Sequence, residues 1–248
     1  MMKLLKYDLR RNANLLLAVC AVLILCELGM ILSPAMLEVK LGVIIVANFA
    51  AAVIFTINNL RVFDYNIKSV SRRLLPVNTL SYVWASLVYA ILNTLAVMVI
   101  AAGAGMYFLG RFDTSFWGDA LHLPVYVWIG LALETVITTV YGFLLFYVVI
   151  ALARSITKKG AFWVGLLLFL VLSAVMDWLE NLLFGQDSTQ AFNLVSFHYE
   201  NGTGTITHDS LTAMAGWNWL GSFVFELLLS IAFLFVIKWC VEKRIEAR

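Results

Sequence analysis

Apolar positions gather into six long runs, separated by short clusters of polar and charged residues. The runs are Leu15 to Leu32, Leu41 to Ile57, Tyr82 to Leu109, Val125 to Ala153, Ala161 to Leu179 and Trp217 to Val241. Each is long enough to carry a helix across a hydrocarbon layer about 30 Å thick. The pattern predicts an all-α membrane protein with six transmembrane helices. At a rise of ~1.5 Å per residue the third and fourth runs exceed that layer, so these helices are expected to tilt or protrude. Pro34, Pro76 and Pro124 are the only prolines and fall between runs or at their edges, so no span is broken by proline as in transporters built on discontinuous helices.

Composition agrees with this reading. The 248 residues are 62% hydrophobic and 13% charged, and the mean hydropathy is +0.92. A soluble globule needs far more polar surface to cover its core, so that class is excluded, and with it disorder and nucleic-acid binding.

The net charge is only +2, but its distribution is uneven: 15 of the 17 Lys and Arg residues fall on one side of the six-span layout. Lys40 and Arg111 alone fall on the other. Basic loops are retained in the cytoplasm during insertion, so both termini are expected inside, in the inner (cytoplasmic) membrane of a cell. Residues 13–248 then form one six-helix transmembrane domain, with a long external loop at 184–216. That loop carries AFNLVSF and LTAMAGW, apolar enough for a short re-entrant or interfacial helix, and the NGTG sequence at 201–204 reads as a turn. The N-terminal residues 1–12 place Lys3, Lys6 and Arg10 on one helical face and Met1, Met2, Leu5 and Leu9 roughly opposite. Such a helix is expected to lie flat on the lipid surface before the first span; with no small-residue cleavage pattern after it, it is expected to be retained.

The usual marks of enzyme chemistry are missing. The sequence holds no GxSxG, no HExxH and no GxxxxGK[ST]. Cys20, Cys26 and Cys240 lack metal-ligand spacing and read as buried thiols. His198, Glu200, His208 and Asp209 form the one grouping that could bind a metal ion weakly.

The segment after the second run, NNLRVFDYNIKSVSRRLLPVNTLSYVWASL, is the most informative. Phe63, Ile67, Val70 and Leu74 recur at helical spacing as one apolar stripe, Lys68 and Arg72 lie on another face, and Pro76 ends the pattern. A short amphipathic helix of this kind has two uses, resting on anionic lipid or inserting its stripe into a groove on a partner protein.

A basic amphipathic N-terminus, six spans with both ends inside, and a first cytoplasmic loop reading DYNIKSVSRRLLPVNTLSYVWASL resemble the permease subunits of type 2 ABC transporters, most closely the small exporters of antimicrobial or amphipathic peptides. In that family an acidic residue opens the loop, a short helix follows, and a Leu-Pro turn leads into the third span; Asp64, Lys68 to Leu74 and Leu75-Pro76 occupy those places. The resemblance implies that the segment 61–81 is a coupling helix docked on a separate ATPase, with Phe63, Asp64, Ile67, Lys68, Val70, Arg72, Arg73 and Leu74 at the contact. ATP and magnesium would be held by that partner, this chain carrying no cofactor, and a second permease, identical or related, would complete the pathway.

Glu27, Glu134, Asp177 and Glu226 lie inside spans, where a charge costs at least ~2.5 kcal/mol at mid-bilayer. Each is expected in the outer half. They read either as carboxyls hydrogen-bonded between helices, to groups such as Thr135, Thr138 and Asn181, or as an anionic pathway for a cationic substrate. Ala101 and Gly105, four apart, read as a close helix contact. A rival reading makes the chain an ion- or proton-coupled secondary transporter that uses these acids.

Overall fold

The structure, a computed structural model, describes residues 2–68, 79–112, 124–157, 160–184, 195–200, 203–208 and 217–245. The chain forms two compact units, where hydropathy alone led to the expectation of a single domain. The N-terminal unit (residues 1–112) holds α1 (Met2–Leu32), α2 (Leu37–Lys68) and α3 (Thr79–Phe112). The C-terminal unit (residues 113–248) holds α4 (Val125–Ile156), α5 (Ala161–Phe184), a hairpin of β1 (Val195–Glu200) and β2 (Thr203–His208), and α6 (Trp217–Cys240), which closes in a π-helical turn over Val241–Ile245. Six helices are long and apolar enough to cross a membrane, as a multi-pass membrane protein requires.

Several helices outrun the apolar runs that announced them. α1 is one unbroken helix of 31 residues, in which residues 2–12 continue directly into the first apolar run. No glycine precedes Gly29 and no proline precedes Pro34, so nothing in this stretch interrupts the backbone ladder. At roughly 46 Å, α1 exceeds the hydrocarbon layer and carries its charged first turns beyond it. α2 likewise continues to Lys68, and the first part of the expected coupling helix is its last turns. α5 runs to Phe184, five residues past the predicted end, which brings Glu180 and Asn181 into the helix.

The connection from α1 to α2 is tight. Ser33 N–H donates to the Gly29 carbonyl at 3.0 Å, Ala35 N–H to Ser33 Oγ at 3.1 Å, and Lys40 Nζ reaches the Ile31 carbonyl at 3.5 Å. A cation on the last carbonyls of a helix is favoured by its dipole. Between α4 and α5, Gly160 adopts φ +79 and its carbonyl receives the Trp163 N–H at 3.2 Å, a left-handed turn that a side chain would strain.

In the 184–216 loop the described residues form a hairpin, while most of AFNLVSF and LTAMAGW, where a short helix was expected, lies outside the described residues. Its register pairs Val195 with His208 and Glu200 with Thr203, leaving Asn201 and Gly202 between the strands; Asn-Gly is the favoured dipeptide for such a link. His208 and Glu200 thus stand at opposite ends of the ladder, roughly 17 Å apart along it, which separates two members of the expected metal grouping. Asp209 lies outside the described residues.

Packing within each unit follows membrane rules. In the N-terminal unit α3 packs on both α1 and α2, and its small residues Ala85, Ser86 and Ala90 are all fully buried, Ala85 beside Leu4 of α1. Gly105 does not share in this, since a Cβ there would meet open space; the expected close contact through Ala101 and Gly105 is absent at that residue. In the C-terminal unit α4 packs on both α5 and α6. Phe146 stacks on Phe169 at 4.9 Å and Tyr141 on Phe233 at 5.9 Å. α5 exposes Trp163, Leu167, Leu170 and Trp178, a face suited to lipid. Of the cysteines only Cys240 is buried, Cys20 and Cys26 being half-exposed, and none is in a disulfide.

Candidate functional site

Two polar constellations stand inside the helices, one in each unit. The first lies where the basic residues cluster, at the start of α1 and the end of α2. On α2 the buried positions Asn59, Val62, Phe63, Asn66 and Ile67 follow helical spacing on one face, and on α3 so do Ser86, Tyr89 and Asn93. Asn66 Nδ2 donates to Asp8 Oδ2 at 3.2 Å and to Ser86 Oγ at 2.9 Å. Asn58 Nδ2 donates to the Tyr89 hydroxyl at 2.8 Å, and Asn93 Nδ2 to Asn59 Oδ1 at 2.7 Å. Asp8 is fully buried, with an Arg11 nitrogen at 4.0 Å, and the Arg11 guanidinium rests 4.1 Å from the centre of the Tyr65 ring. A buried carboxylate is tolerable only when paired and hydrogen-bonded, and Asn66 and Arg11 supply both. The result pins together the first turns of α1 and α3 and the last turns of α2.

That placement changes the expected coupling stripe. Phe63 and Ile67 are 0% and 3% exposed, covered within the chain itself. They therefore offer no surface to a partner, contrary to the docking role that the resemblance implied for them. Asp64 and Lys68 pair with each other at 2.9 Å on the half-exposed side of the same helix. Val70, Arg72, Arg73 and Leu74 lie outside the described residues. Arg61, Tyr65 and Lys68 are what this end of α2 shows to its surroundings.

The acids expected inside the membrane divide between the units. Glu27 belongs to the N-terminal unit, is 6% exposed, and accepts a hydrogen bond from Asn48 Nδ2 at 3.0 Å. In the C-terminal unit Glu134 lies on α4, Asp177 on α5 and Glu226 on α6; Glu134 and Glu226 stand toward the helix ends opposite Arg154 and Lys238. Glu134 and Glu180 are within electrostatic reach of Glu226, and the Tyr141 hydroxyl within reach of Glu226, Glu180 and Asp177. Ser222 Oγ donates to Glu180 Oε1 at 2.6 Å. Glu134 Oε2 and Glu226 Oε2 are buried without a hydrogen-bond partner among the described residues. Asp177 is exposed on α5, and so are Thr138 and Asn181, two of the expected partners. Among the described residues no three His, Cys, Asp or Glu side chains come close enough to share a metal ion.

Glu180 and the Asp8 network were missed by reading the acids alone. Both left a trace in the sequence: Glu180 follows Asp177 by one turn, and Asn59 and Asn66 stand seven apart on the same face as Phe63. No protein-family model, no curated protein and no solved structure matches this chain.

Proposed function

We propose that this chain is the membrane-spanning subunit of an ATP-driven exporter of the type 2 ABC class. On this reading it lies in the cytoplasmic membrane with both termini inside, pairs with a second permease, and works with a separate nucleotide-binding chain that holds ATP and magnesium. Its cargo is an amphipathic or cationic peptide or another hydrophobic compound. The observation that carries the reading is the pin formed by Asn66 on Asp8 and Ser86. It fastens the first turns of α1 and α3 to the last turns of α2, the helix that leads into the basic 69–78 connection, so a push on that connection would move helices together and not merely bend a loop. A loop that only rested on lipid would need no such base. The contact surface is then assigned to Arg61, Tyr65, Lys68 and the following Arg72 and Arg73, in place of Phe63 and Ile67.

The test is capture of a nucleotide-binding ATPase from the source membrane by the tagged full chain, followed by ATP hydrolysis and transport in proteoliposomes. Nucleotide-dependent transport by the captured complex is the expected result. The second reading, proton-coupled secondary transport, is favoured by the unpartnered oxygens of Glu134 and Glu226. Transport by the chain alone, driven by an imposed proton gradient without nucleotide, would decide for it.

A further inference from the structure

We propose that the acidic end of the C-terminal unit, between Glu134 of α4, Glu180 of α5 and Glu226 of α6, binds a hydrogen-bond-donating organic cation, the ammonium or guanidinium group of a larger apolar molecule. Three separate helices each bring one carboxylate to this place, and Tyr141 adds an aromatic ring and a hydroxyl within reach of two of them. The helices supply no positive charge of their own at that depth. α5 carries no Lys, Arg or His, while Arg154 of α4 and Lys238 of α6 stand roughly 30 and 18 Å along their helices from Glu134 and Glu226. The second, independent observation is Glu226 itself. It is 8% exposed, and its Oε2 is buried with no hydrogen-bond partner among the described residues. A buried acceptor of this kind is costly unless something donates to it, and Glu134 Oε2 is in the same state.

The chemistry of the occupant follows from spacing and walls. The carboxylates are not gathered tightly enough for a metal ion. A group with several N–H donors spread over its own width suits separated acceptors better. Stacked Tyr141 and Phe233 and the Phe184–Phe225 edge contact lie on the same helices, so apolar flesh attached to the cation would find aromatic neighbours. Ser222 donates to one oxygen of Glu180 and so fixes that carboxylate beside α6. The inference deepens the transport reading, since it names the feature by which cargo would be recognised, but its test requires neither nucleotide nor partner.

The experiment is calorimetric titration of the purified full chain in zwitterionic lipid nanodiscs with phenethylguanidinium, phenethylammonium, phenethyltrimethylammonium and neutral phenethyl alcohol. The two N–H cations should bind saturably, the trimethylated cation and the alcohol at least about tenfold more weakly, as expected when charged hydrogen bonds are lost. Glu226→Gln should weaken the N–H cations by about tenfold, and Glu134→Gln/Glu226→Gln further, while leaving the alcohol unchanged. Equal binding of cation and alcohol by the wild-type chain overturns the proposal, whether or not any variant folds. So does a wild-type affinity in a double variant of unchanged melting temperature, or displacement of phenethylammonium by millimolar sodium or magnesium. Failure to capture an ATPase leaves this site standing, and failure of the titration leaves the capture result standing, so the two readings fail separately.

Discussion

Asn66 of α2 hydrogen-bonds Asp8 of α1 at 3.2 Å across 58 positions of sequence, and the same side-chain nitrogen reaches Ser86 of α3. One amide thus joins three helices at the end where the basic residues lie. Lipid tails give apolar helices little reason to associate, so such polar contacts and close van der Waals packing hold a membrane bundle together. Interhelical hydrogen bonds average about 0.6 kcal/mol and reach ~1.7; loss of a buried charged partner costs more.

Asn66→Ala should therefore lower stability by about 1 to 3 kcal/mol, because it removes a hydrogen bond to the buried Asp8 carboxylate. Asp8→Ala/Asn66→Ala should lose less than the two single variants added together, since both single variants remove the same hydrogen bond. Thermal unfolding of the purified chain measures both. Simple additivity would show that the two residues act independently.

Phe63→Ala should cost about 3 to 5 kcal/mol through the cavity left in the N-terminal unit, whereas Arg61→Ala and Lys68→Ala on the outer side should stay within about 0.5. Asp at position 67 would test folding and not docking, because Ile67 is 3% exposed. In a folded chain, capture of the ATPase should respond to charge reversal at Arg61, Arg72 and Arg73. Undiminished capture by the triple reversal would remove this surface from the contact.

Gly221 lies against the Phe184 ring, and a Cβ there would overlap Phe184 Cε1. Gly221→Ala should destabilise the C-terminal unit by about 1 to 3 kcal/mol, and adding Phe184→Leu should recover part of the loss. Gly105→Ala, which meets open space, should instead be neutral or stabilise by up to ~1 kcal/mol through helix propensity. Circular-dichroism melting in detergent compares the three. A harmless Gly221→Ala would mean that this helix contact is looser than described.

Orientation is open to direct measurement. Single cysteines in place of Ser188 and Ser71, in a chain whose own three cysteines are replaced, should react with an impermeant reagent from opposite faces, Ser188 from outside. Reaction of both from outside would overturn the six-span layout with its ends in the cytoplasm.

Six helices fit to span a membrane were legible in the amino-acid order, because each is imposed locally. Every peptide group in hydrocarbon must be satisfied within its own helix, so a long apolar run has little choice of structure. Helix ends were less legible: hydropathy marks where lipid stops, but α1, α2 and α5 continue through polar residues that nothing interrupts. What only the tertiary structure decided was which neighbour each face would meet. Helical spacing put Phe63 and Ile67 on one stripe, and a stripe looks the same whether its cover is another protein or the chain itself; here the cover is the chain itself. The same holds for the polar groups. That Asn66 meets Asp8, and that Glu180 joins Glu134 and Glu226, depends on how helices far apart in sequence pack side by side, and no local pattern carries that information.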